Sequence, residues 1–386
     1  MTSPTLAIEI PVYGRLDLRV VAARGAELIL DDGRRLLDFY AGHAVVLGSH
    51  SDEELARDLA EQAGRLRFQT SLIHTDERDR ALTALRAFAP AGLGRAFLVN
   101  SGAEANENAL RAAFLHHQRR GEPRRVIVAI EGAFHGRSAA ASACTWSARK
   151  GWYGFPQAPF EVRFVPVDDV AALEAALDRD VAALILEPIQ GIAGARDLDL
   201  DFLRAARDLC HAQGALMIAD EIQCGLGRSG DRFAFEAAGI VPDLATLAKG
   251  LGGGFPVGAL LTSEAIAASL AIGDLGTTFG GAPLACRAIV RVLEELENGL
   301  LERVRPLSER IRARCRVGPV TEIQGRGLLL GLRVPSGARA LRDALLARGI
   351  LVGTSNDPEV LRLTPPYVID EDDVDRLAAA IAEVAA

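Results

Sequence analysis

Hydrophobic residues along this 386-residue chain occur in two patterns, short apolar runs and longer amphipathic segments. Six of the apolar runs are nearly continuous, which is typical of strands buried on both faces of a parallel sheet. They lie at residues 96–99, 126–130, 162–165, 182–186, 215–219 and 244–248. Because loops and segments of helical periodicity separate these runs, the pattern predicts an α/β fold with a mainly parallel, helix-flanked sheet.

The two ends of the chain follow different patterns. Residues 19–39 predict three short strands, with the turn Asp31-Asp32-Gly33 between the second and the third. Beyond residue 280 amphipathic helices dominate, and the last of them is predicted to begin at Asp372. A chain of this length is expected to form two domains. We therefore predict a large domain over residues 48–279 and a small α+β domain formed by residues 1–47 and 280–386.

Composition narrows the class of protein. A net charge of −8 argues against nucleic acid or an anionic membrane surface as the main partner. No stretch approaches the length of a membrane span, and the first residues lack the pattern of a signal peptide, so we expect a cytoplasmic protein without membrane contact. The five cysteines are odd in number and lack ligand-like spacing, which argues against a disulfide framework and against a metal site.

Small and polar residues follow most of the predicted strands. In open parallel sheets ligands bind beyond the carboxyl ends of the strands. We therefore expect the active site to be formed by the segments that begin at Asn100, Gly132, Glu187, Asp220 and Lys249.

Lys249 is one of only two lysines among 43 basic residues, the other being Lys150. It follows the apolar run at 244–248 and precedes a glycine-rich segment, where a ligand can approach the backbone closely. Unlike arginine, a desolvated lysine can lose its proton and attack a carbonyl carbon. The alternative is a surface lysine on a flexible loop, but the scarcity of lysine and the apolar run before it favour a reactive amine.

Two further features bear on a ligand. The turn Ser101-Gly102-Ala103 leads from a strand into a helix, and the positive end of a helix dipole suits a phosphate, although a simple helix cap is the better explanation of this turn taken alone. Asp220 ends an otherwise apolar strand and needs a cationic partner, which is either a distant arginine or a cation of the ligand.

The reactive lysine, the buried aspartate and the phosphate turn together fit pyridoxal 5'-phosphate (PLP). The aldehyde of PLP reacts with a lysine amine, its pyridine nitrogen requires a carboxylate, and its phosphate requires backbone donors. Phe134 is a candidate to stack on the ring, with core packing as the alternative.

The same segments resemble the motifs of class III aminotransferases. They read NSGAEANE at 100–107, FHGR at 134–137, EPIQG at 187–191, IADEIQCGLGR at 218–228, AKG at 248–250 and TTFGG at 277–281. Within that class the chain is most similar to the acetylornithine aminotransferases, over nearly its whole length. The resemblance implies a PLP-dependent enzyme of fold-type I.

The resemblance also implies roles for residues around the cofactor. Lys249 binds PLP covalently and then transfers the proton, while Asp220 pairs with the pyridinium nitrogen. Gln223 reaches the ring hydroxyl, and Phe134 stacks on the ring. The phosphate is held by Ser101, Gly102 and Ala103, joined by Thr278 of the partner subunit. The active unit is therefore expected to be a homodimer with shared active sites.

The resemblance also implies three residues that bind the substrate. Arg137 resembles an arginine that binds a substrate carboxylate, a task for which a planar guanidinium suits better than an ammonium. Arg362 matches a second arginine that binds the α-carboxylate of glutamate or 2-oxoglutarate. His43 lies in the loop that lines the substrate pocket and either bonds an acyl or carboxylate group or is a satisfied polar residue in a turn.

The chain departs from the pattern of its relatives at Ile192, where a glutamate is usual. That glutamate masks the second arginine in ornithine aminotransferases, so the two half-reactions cannot be switched in that way here. The segments at 42–45 and 106–110 resemble instead a branch that includes enzymes acting on N-succinylornithine.

The function implied is transfer of the terminal amino group of an N-acylornithine, preferably N-acetylornithine, to 2-oxoglutarate. The products are the N-acylglutamate semialdehyde and glutamate, and the reaction serves arginine biosynthesis. Alternative donors are N-succinylornithine, ornithine, acylated lysine and 4-aminobutyrate. A PLP-dependent aminomutase and a non-enzymatic cofactor-binding regulator are alternatives of another class, and the two arginines for dicarboxylate binding favour transfer.

Overall fold

The fold is organised around a seven-stranded sheet. A computed structural model of the chain describes residues 9–149 and 151–384. From one edge to the other, the strands are Arg95–Val99, Gly258–Thr262, Leu244–Leu247, Leu216–Asp220, Val181–Leu186, Val126–Ile130 and Glu161–Val165. Gly258–Thr262 is antiparallel to both of its neighbours, and the other pairings are parallel. The predicted α/β fold with a mainly parallel sheet is confirmed.

Helices cover both faces of this sheet, as the alternation of side chains in Val126–Ile130 shows. Val126, Val128 and Ile130 belong to one hydrophobic cluster, whereas Ile127 and Ala129 belong to another. Residues that alternate along a strand point to opposite faces, so neither face is left to solvent. Among residues 9–149 and 151–384, the α-helices of five or more residues are Glu53–Arg65, Asp76–Phe88, Gly102–Arg119, Ala139–Ala143, Val170–Ala176, Leu200–Gln213, Glu264–Ala268, Pro283–Glu295, Val304–Arg314, Ala338–Ala347 and Glu371–Ala382.

The parallel strands bring their carboxyl ends to one edge of the sheet. Asp220 is in register with Thr246, and Ala219 is in register with Leu186. The residues that follow these positions, among them Glu187 and Lys249, therefore lie at the same edge, as expected from the sequence.

Two smaller sheets involve the ends of the chain. One contains Val20–Arg24, Glu27–Leu30, Arg35–Asp38 and Ile350–Leu351, and the other contains Glu322–Arg326, Leu329–Arg333, Val360–Leu363 and Gly353–Thr354. Because Ile350–Leu351 pairs in parallel with Arg35–Asp38, segments from both ends of the chain share one sheet. A two-stranded ribbon joins Ile189–Gln190 to Arg196–Asp197.

The division into a large domain over 48–279 and a small domain from both termini stays a prediction. Two hydrophobic clusters lie within 48–279, whereas the largest cluster has members from both parts.

All five cysteines are buried and free. None of the helices in residues 9–149 and 151–384 is long and apolar enough to cross a bilayer.

His117, near the end of the helix Gly102–Arg119, is expected to make the fold sensitive to acid. Burial lowers the pKa of its imidazole from 6.5 to about 4, although the hydrogen bond from Nε2 to the Ala182 carbonyl oxygen, at 2.9 Å, opposes this. The unfolded chain therefore binds a proton more readily, and stability should fall as pH decreases from 6.5 towards 4. His117→Gln retains a donor without the titration.

We expect urea midpoints to fall less between pH 7 and pH 4.5 in His117→Gln than in the wild type. Equal falls in the two proteins would show that another group causes the sensitivity to acid.

Candidate active site

A cavity of about 400 Å³ opens at the carboxyl edge of the large sheet. Its lining combines residues from every predicted site segment: Val45, Asn100, Ser101, Gly102, Ala103, Phe134, His135, Gly136, Arg137, Glu187, Ile192, Asp220, Ile222, Gln223, Ala248, Lys249, Gly254, Phe255, Pro256 and Val257. Eight of the residues predicted from the sequence to bind cofactor or substrate therefore face one space.

Lys249 begins the 3-10 turn Lys249–Gly252, just after the strand Leu244–Leu247. Its φ of 45° lies in the left-handed region, which residues other than glycine rarely adopt. Burial lowers the pKa of its ammonium group, and Arg362 acts in the same direction, while Asp220 and Glu187 oppose the shift. More of the Lys249 amine is therefore neutral than in an exposed lysine, as a nucleophile requires.

Asp220 is 3% exposed and lies at the end of its strand. Its Oδ2 accepts hydrogen bonds from Asn106 Nδ2 and His135 Nδ1, both at 2.7 Å, and its Oδ1 accepts the Ile222 N–H at 3.1 Å. Within residues 9–149 and 151–384, no arginine forms an ion pair with it, so the distant arginine considered from the sequence is not its partner. The carboxylate is held by these donors and still reaches the cavity.

Asn106, His135 and Thr246 support Asp220, and none of the three was predicted from the sequence to have a role. Asn106 Nδ2 also donates to the His135 carbonyl oxygen at 2.8 Å, and Asn106 Oδ1 accepts from Thr246 Oγ1 at 2.8 Å. His135 Nε2 is buried without a hydrogen-bond partner, so we place the ring proton on Nδ1. A polar Thr246 inside an apolar strand was the signal available.

The turn at Ser101 is built for close approach to an anion. Ser101 caps the 18-residue helix Gly102–Arg119, and its Oγ accepts the Glu104 N–H at 3.2 Å. A Cβ on Gly102 would lie 2.8 Å from Ile222, and one on Gly136 would lie 2.9 Å from Ala103 Cβ. The first N–H groups of the helix, which have no partner within the helix, thus face a tight cradle of small residues.

Phe134 and Arg137 lie on the adjacent wall. The Phe134 N–H donates to Glu187 Oε1 at 2.8 Å, and the Arg137 guanidinium carbon lies 5.7 Å from the Phe134 ring centroid. Arg137 is exposed and forms no ion pair in the part of the chain that the structure describes, so its guanidinium is available to a carboxylate. Burial raises the pKa of Glu187 to about 7, Asp220 adds to the rise, and His135 and Lys249 oppose it.

Arg362 approaches the site from behind Gln223 and does not line the cavity. It is 5% exposed, and its donors meet only neutral acceptors: the Thr354 carbonyl oxygen at 2.7 Å, the Gly191 carbonyl oxygen at 3.3 Å and Gln223 Oε1 at 3.5 Å. Burial lowers its pKa. No carboxylate among the described residues forms an ion pair with it, so a substrate carboxylate has no internal competitor.

His43 lies in a left-handed turn. Ala41, Gly42, His43 and Ala44 all have φ between 47° and 69°, an arrangement that is strained for the three residues with a Cβ. The His43 imidazole contacts the Tyr40 hydroxyl, and its carbonyl oxygen accepts from Gln223 Nε2 at 3.2 Å. Burial lowers the pKa of His43, as do Arg362, Lys249 and Arg137. Both alternatives for His43 therefore stay open, because its ring has a partner in the turn and also faces three cations.

The comparison with protein families identifies the family of the chain that forms this cavity. The family model for class-III aminotransferases matches residues 12–385. The chain belongs to the class-III aminotransferases. The enzyme class implied by the sequence motifs is thereby confirmed.

Individual relatives of this aminotransferase agree with that assignment. It is 37% identical to the acetylornithine aminotransferase of Methanocaldococcus jannaschii, over 97% of this chain and 94% of that protein. It is 39% identical to the acetylornithine aminotransferase of Methanopyrus kandleri, over 96% of this chain and 95% of that protein.

Solved structures place the aminotransferase in fold-type I. The ornithine aminotransferase of Toxoplasma gondii, which contains PLP at partial occupancy in its active site, is 30% identical, with a TM-score of 0.90 over 98% of this chain and 92% of that one. A transaminase of Virgibacillus, 23% identical with a TM-score of 0.91 over 97% and 96% of the two chains, supports the fold alone.

Thr278 is the one predicted cofactor residue of this aminotransferase that the single chain leaves outside the cavity. It is exposed, and its neighbour Thr277 is fixed by Asn100, whose Nδ2 donates to Thr277 Oγ1 at 3.2 Å. Its predicted contact with a partner subunit stays a prediction.

Within the described ranges, no group of three or more His, Cys, Asp and Glu side chains could hold a metal ion.

Proposed function

We propose that this aminotransferase binds PLP in the cavity at Lys249 and transfers the terminal amino group of an N-acylornithine, preferably N-acetylornithine, to 2-oxoglutarate. The observation that carries the proposal is the convergence of Lys249, Asp220 and the Ser101 turn on one cavity. The relatives at 36–39% identity whose names are acetylornithine aminotransferase support the donor and a place in arginine biosynthesis.

The donor set of the cavity fits PLP. It offers an amine of lowered pKa, a buried carboxylate held by three donors, and the start of a long helix lined by small residues. Phe134 supplies an aromatic ring on the same wall. When bound, PLP supplies a carbonyl that takes up an amino group and a ring that stabilises negative charge.

The residues of the chain then act as follows. When PLP is bound, Lys249 would supply a neutral amine to its aldehyde, and Lys249 Nζ would hold the proton that moves during the transfer. Asp220, fixed by His135 and Asn106, would supply the carboxylate for the pyridine nitrogen. Gln223, whose amide donates to the His43 carbonyl oxygen and accepts from Arg362, would bond the ring hydroxyl. The phosphate is held by the turn of Ser101, Gly102 and Ala103.

Two guanidinium groups are proposed to bind carboxylates. Arg137, exposed above Phe134, takes the carboxylate of the acylated donor, and Arg362 takes the α-carboxylate of 2-oxoglutarate. His43 does not line the cavity of the free chain, but its pKa is lowered by burial and by Arg362, Lys249 and Arg137, and as a neutral imidazole it is proposed to bond the acyl or carboxylate group of the donor.

The active unit is proposed to be a cytoplasmic homodimer in which Thr278 reaches the phosphate of the partner's site. The exposure of Thr278 and of Phe279, which is 62% exposed, supports an interface on this segment.

A panel of half-reactions tests the proposed function. The visible absorption of the PLP-loaded protein should change fastest with N-acetylornithine and return with 2-oxoglutarate. N-succinylornithine, ornithine, an acylated lysine and 4-aminobutyrate are the competing donors. A faster change with 4-aminobutyrate would contradict the proposed donor, and a change that 2-oxoglutarate never reverses would favour an aminomutase.

Ile192→Glu is expected to impair the second half-reaction. Ile192 lines the cavity next to Gly191, whose carbonyl oxygen accepts from Arg362. A carboxylate at position 192 would pair with Arg362 and compete with 2-oxoglutarate, so we expect the KM for 2-oxoglutarate to rise about tenfold. Ile192→Gln, which adds the same polar shape without charge, should raise it by less than about threefold. Equal effects of the two variants would contradict this explanation.

A further inference from the structure

The proposed reaction leaves one buried carboxyl group of the cavity without a role, that of Glu187, which is 5% exposed. Each of its oxygens meets the backbone of a different segment. Oε1 accepts the Phe134 N–H at 2.8 Å, and Oε2 accepts the Gly191 N–H at 3.4 Å. A single side chain therefore joins two loops that leave different strands of the sheet.

The two loops carry different parts of the site. One carries the Phe134 ring, which faces the cavity. The other carries Gly191, whose carbonyl oxygen accepts from Arg362 at 3.3 Å. Gly191 also fits tightly against Gln223, because a Cβ at position 191 would lie 1.5 Å from Gln223 Oε1. The position of the Gly191 backbone thus affects both Gln223 and Arg362.

We propose that Glu187 is a positioning residue that fixes the Phe134 ring and the Arg362 guanidinium relative to each other, so that the cofactor and 2-oxoglutarate are held in the correct relative position. This inference rests on the proposed function. It requires the ionised carboxylate, which accepts at both oxygens, whereas an amide of the same shape accepts at only one. The comparison is therefore made at a pH above the Glu187 pKa of about 7.

The chain offers a matched control in Glu221. Its side chain is fully buried, and its carboxylate also accepts two backbone N–H groups, from Ala234 at 2.9 Å and from Phe235 at 3.0 Å. It does not line the cavity. Glu187→Gln and Glu221→Gln should therefore lose similar structural support, because each leaves one buried N–H facing an amide NH₂.

The experiment compares three properties of the two variants and the wild type: the urea midpoint of the PLP-free protein, the Kd for PLP by equilibrium dialysis, and KM and kcat for each substrate. Both variants should lose stability to a similar extent. Only Glu187→Gln should weaken PLP binding and raise the KM for 2-oxoglutarate, each by about tenfold, with kcat for the donor half-reaction changed by less than about threefold.

A Glu187→Gln protein with wild-type PLP affinity and wild-type KM for 2-oxoglutarate would overturn the proposal, as would the same two losses in Glu221→Gln. Should Glu187→Gln fail to fold, Glu187→Asp keeps the charge but is too short to reach both N–H groups, and it should show the same two losses. Wild-type protein that binds no PLP would contradict the proposed function as well, whereas normal wild-type binding with an unaffected variant contradicts this inference alone.

Discussion

Lys249→Ala is expected to abolish transamination, lowering kcat/KM for N-acetylornithine by about 10⁴-fold or more. Among residues 9–149 and 151–384, Lys249 is the one lysine that lines the cavity, and burial lowers its pKa. In its proposed role Lys249 supplies both the covalent attachment of the cofactor and the group that moves the proton, so the variant loses both. Lys249→Arg should lose as much, because a guanidinium stays protonated.

The control for this loss is Lys150→Ala, which removes the only other lysine of the chain. We expect it to retain wild-type kcat/KM in the same assay, with PLP in excess. A Lys249→Ala protein within tenfold of the wild type would contradict the assignment of the reactive amine.

Asp220→Asn is expected to lower kcat by about 10² to 10³-fold while the protein still folds. The amide has the same shape but no charge, so it cannot perform the role proposed for Asp220, which is to keep the ring nitrogen of PLP protonated. Its NH₂ would also face the donors that now bind the carboxylate, namely Asn106 Nδ2, His135 Nδ1 and the Ile222 N–H. Both effects act on the reacting ring, so kcat should fall more than the affinity for the donor.

Asp243→Asn is the matched control for Asp220→Asn. Asp243 lies just before the strand Leu244–Leu247, and its carboxylate accepts from Arg207 at 2.7 Å and from the Met217 N–H at 2.8 Å. We expect this variant to lose stability but to keep kcat within about threefold, because its contacts lie away from the cavity. Similar losses of kcat in the two variants would mean that Asp220 acts through the fold alone.

Continuous apolar runs predicted the parallel strands because both faces of this sheet are covered. The same reasoning missed Gly258–Thr262, which follows a glycine-rich segment and returns antiparallel between Arg95–Val99 and Leu244–Leu247. Its place depends on close contact far along the chain, since a Cβ on Gly258 would lie 2.7 Å from the Ser101 carbonyl oxygen. A local sequence pattern does not predict such a long-range contact.

The residues that face the cavity were predictable from strand ends and motifs, but their supports were not. The hydrogen bonds from Asn106 and His135 to Asp220 join residues that lie far apart in sequence. A search for charged partners favours arginine, whereas the structure uses an imidazole and an amide. Arg362 was predicted only by resemblance. Its strand, Val360–Leu363, is short, and its residue pattern gives no sign that this arginine has a function.

The turn that carries His43 shows a further limit of sequence patterns. Ala41, His43 and Ala44 adopt left-handed backbone angles although none of them is glycine, asparagine or aspartate. Propensity disfavours this conformation, so it is fixed by tertiary contacts such as the hydrogen bond from Gln223 Nε2 to the His43 carbonyl oxygen. Strained backbone of this kind is found at functional sites, and here it lies beside the cavity.

The most direct test of the central claim is to load the wild-type protein with PLP, reduce it with borohydride and locate the modified residue by peptide mass spectrometry. We predict a single pyridoxyl group, on Lys249, and its loss when N-acetylornithine is added before the reductant. A stable modification on Lys150, or no modification of a protein that transaminates, would contradict the account.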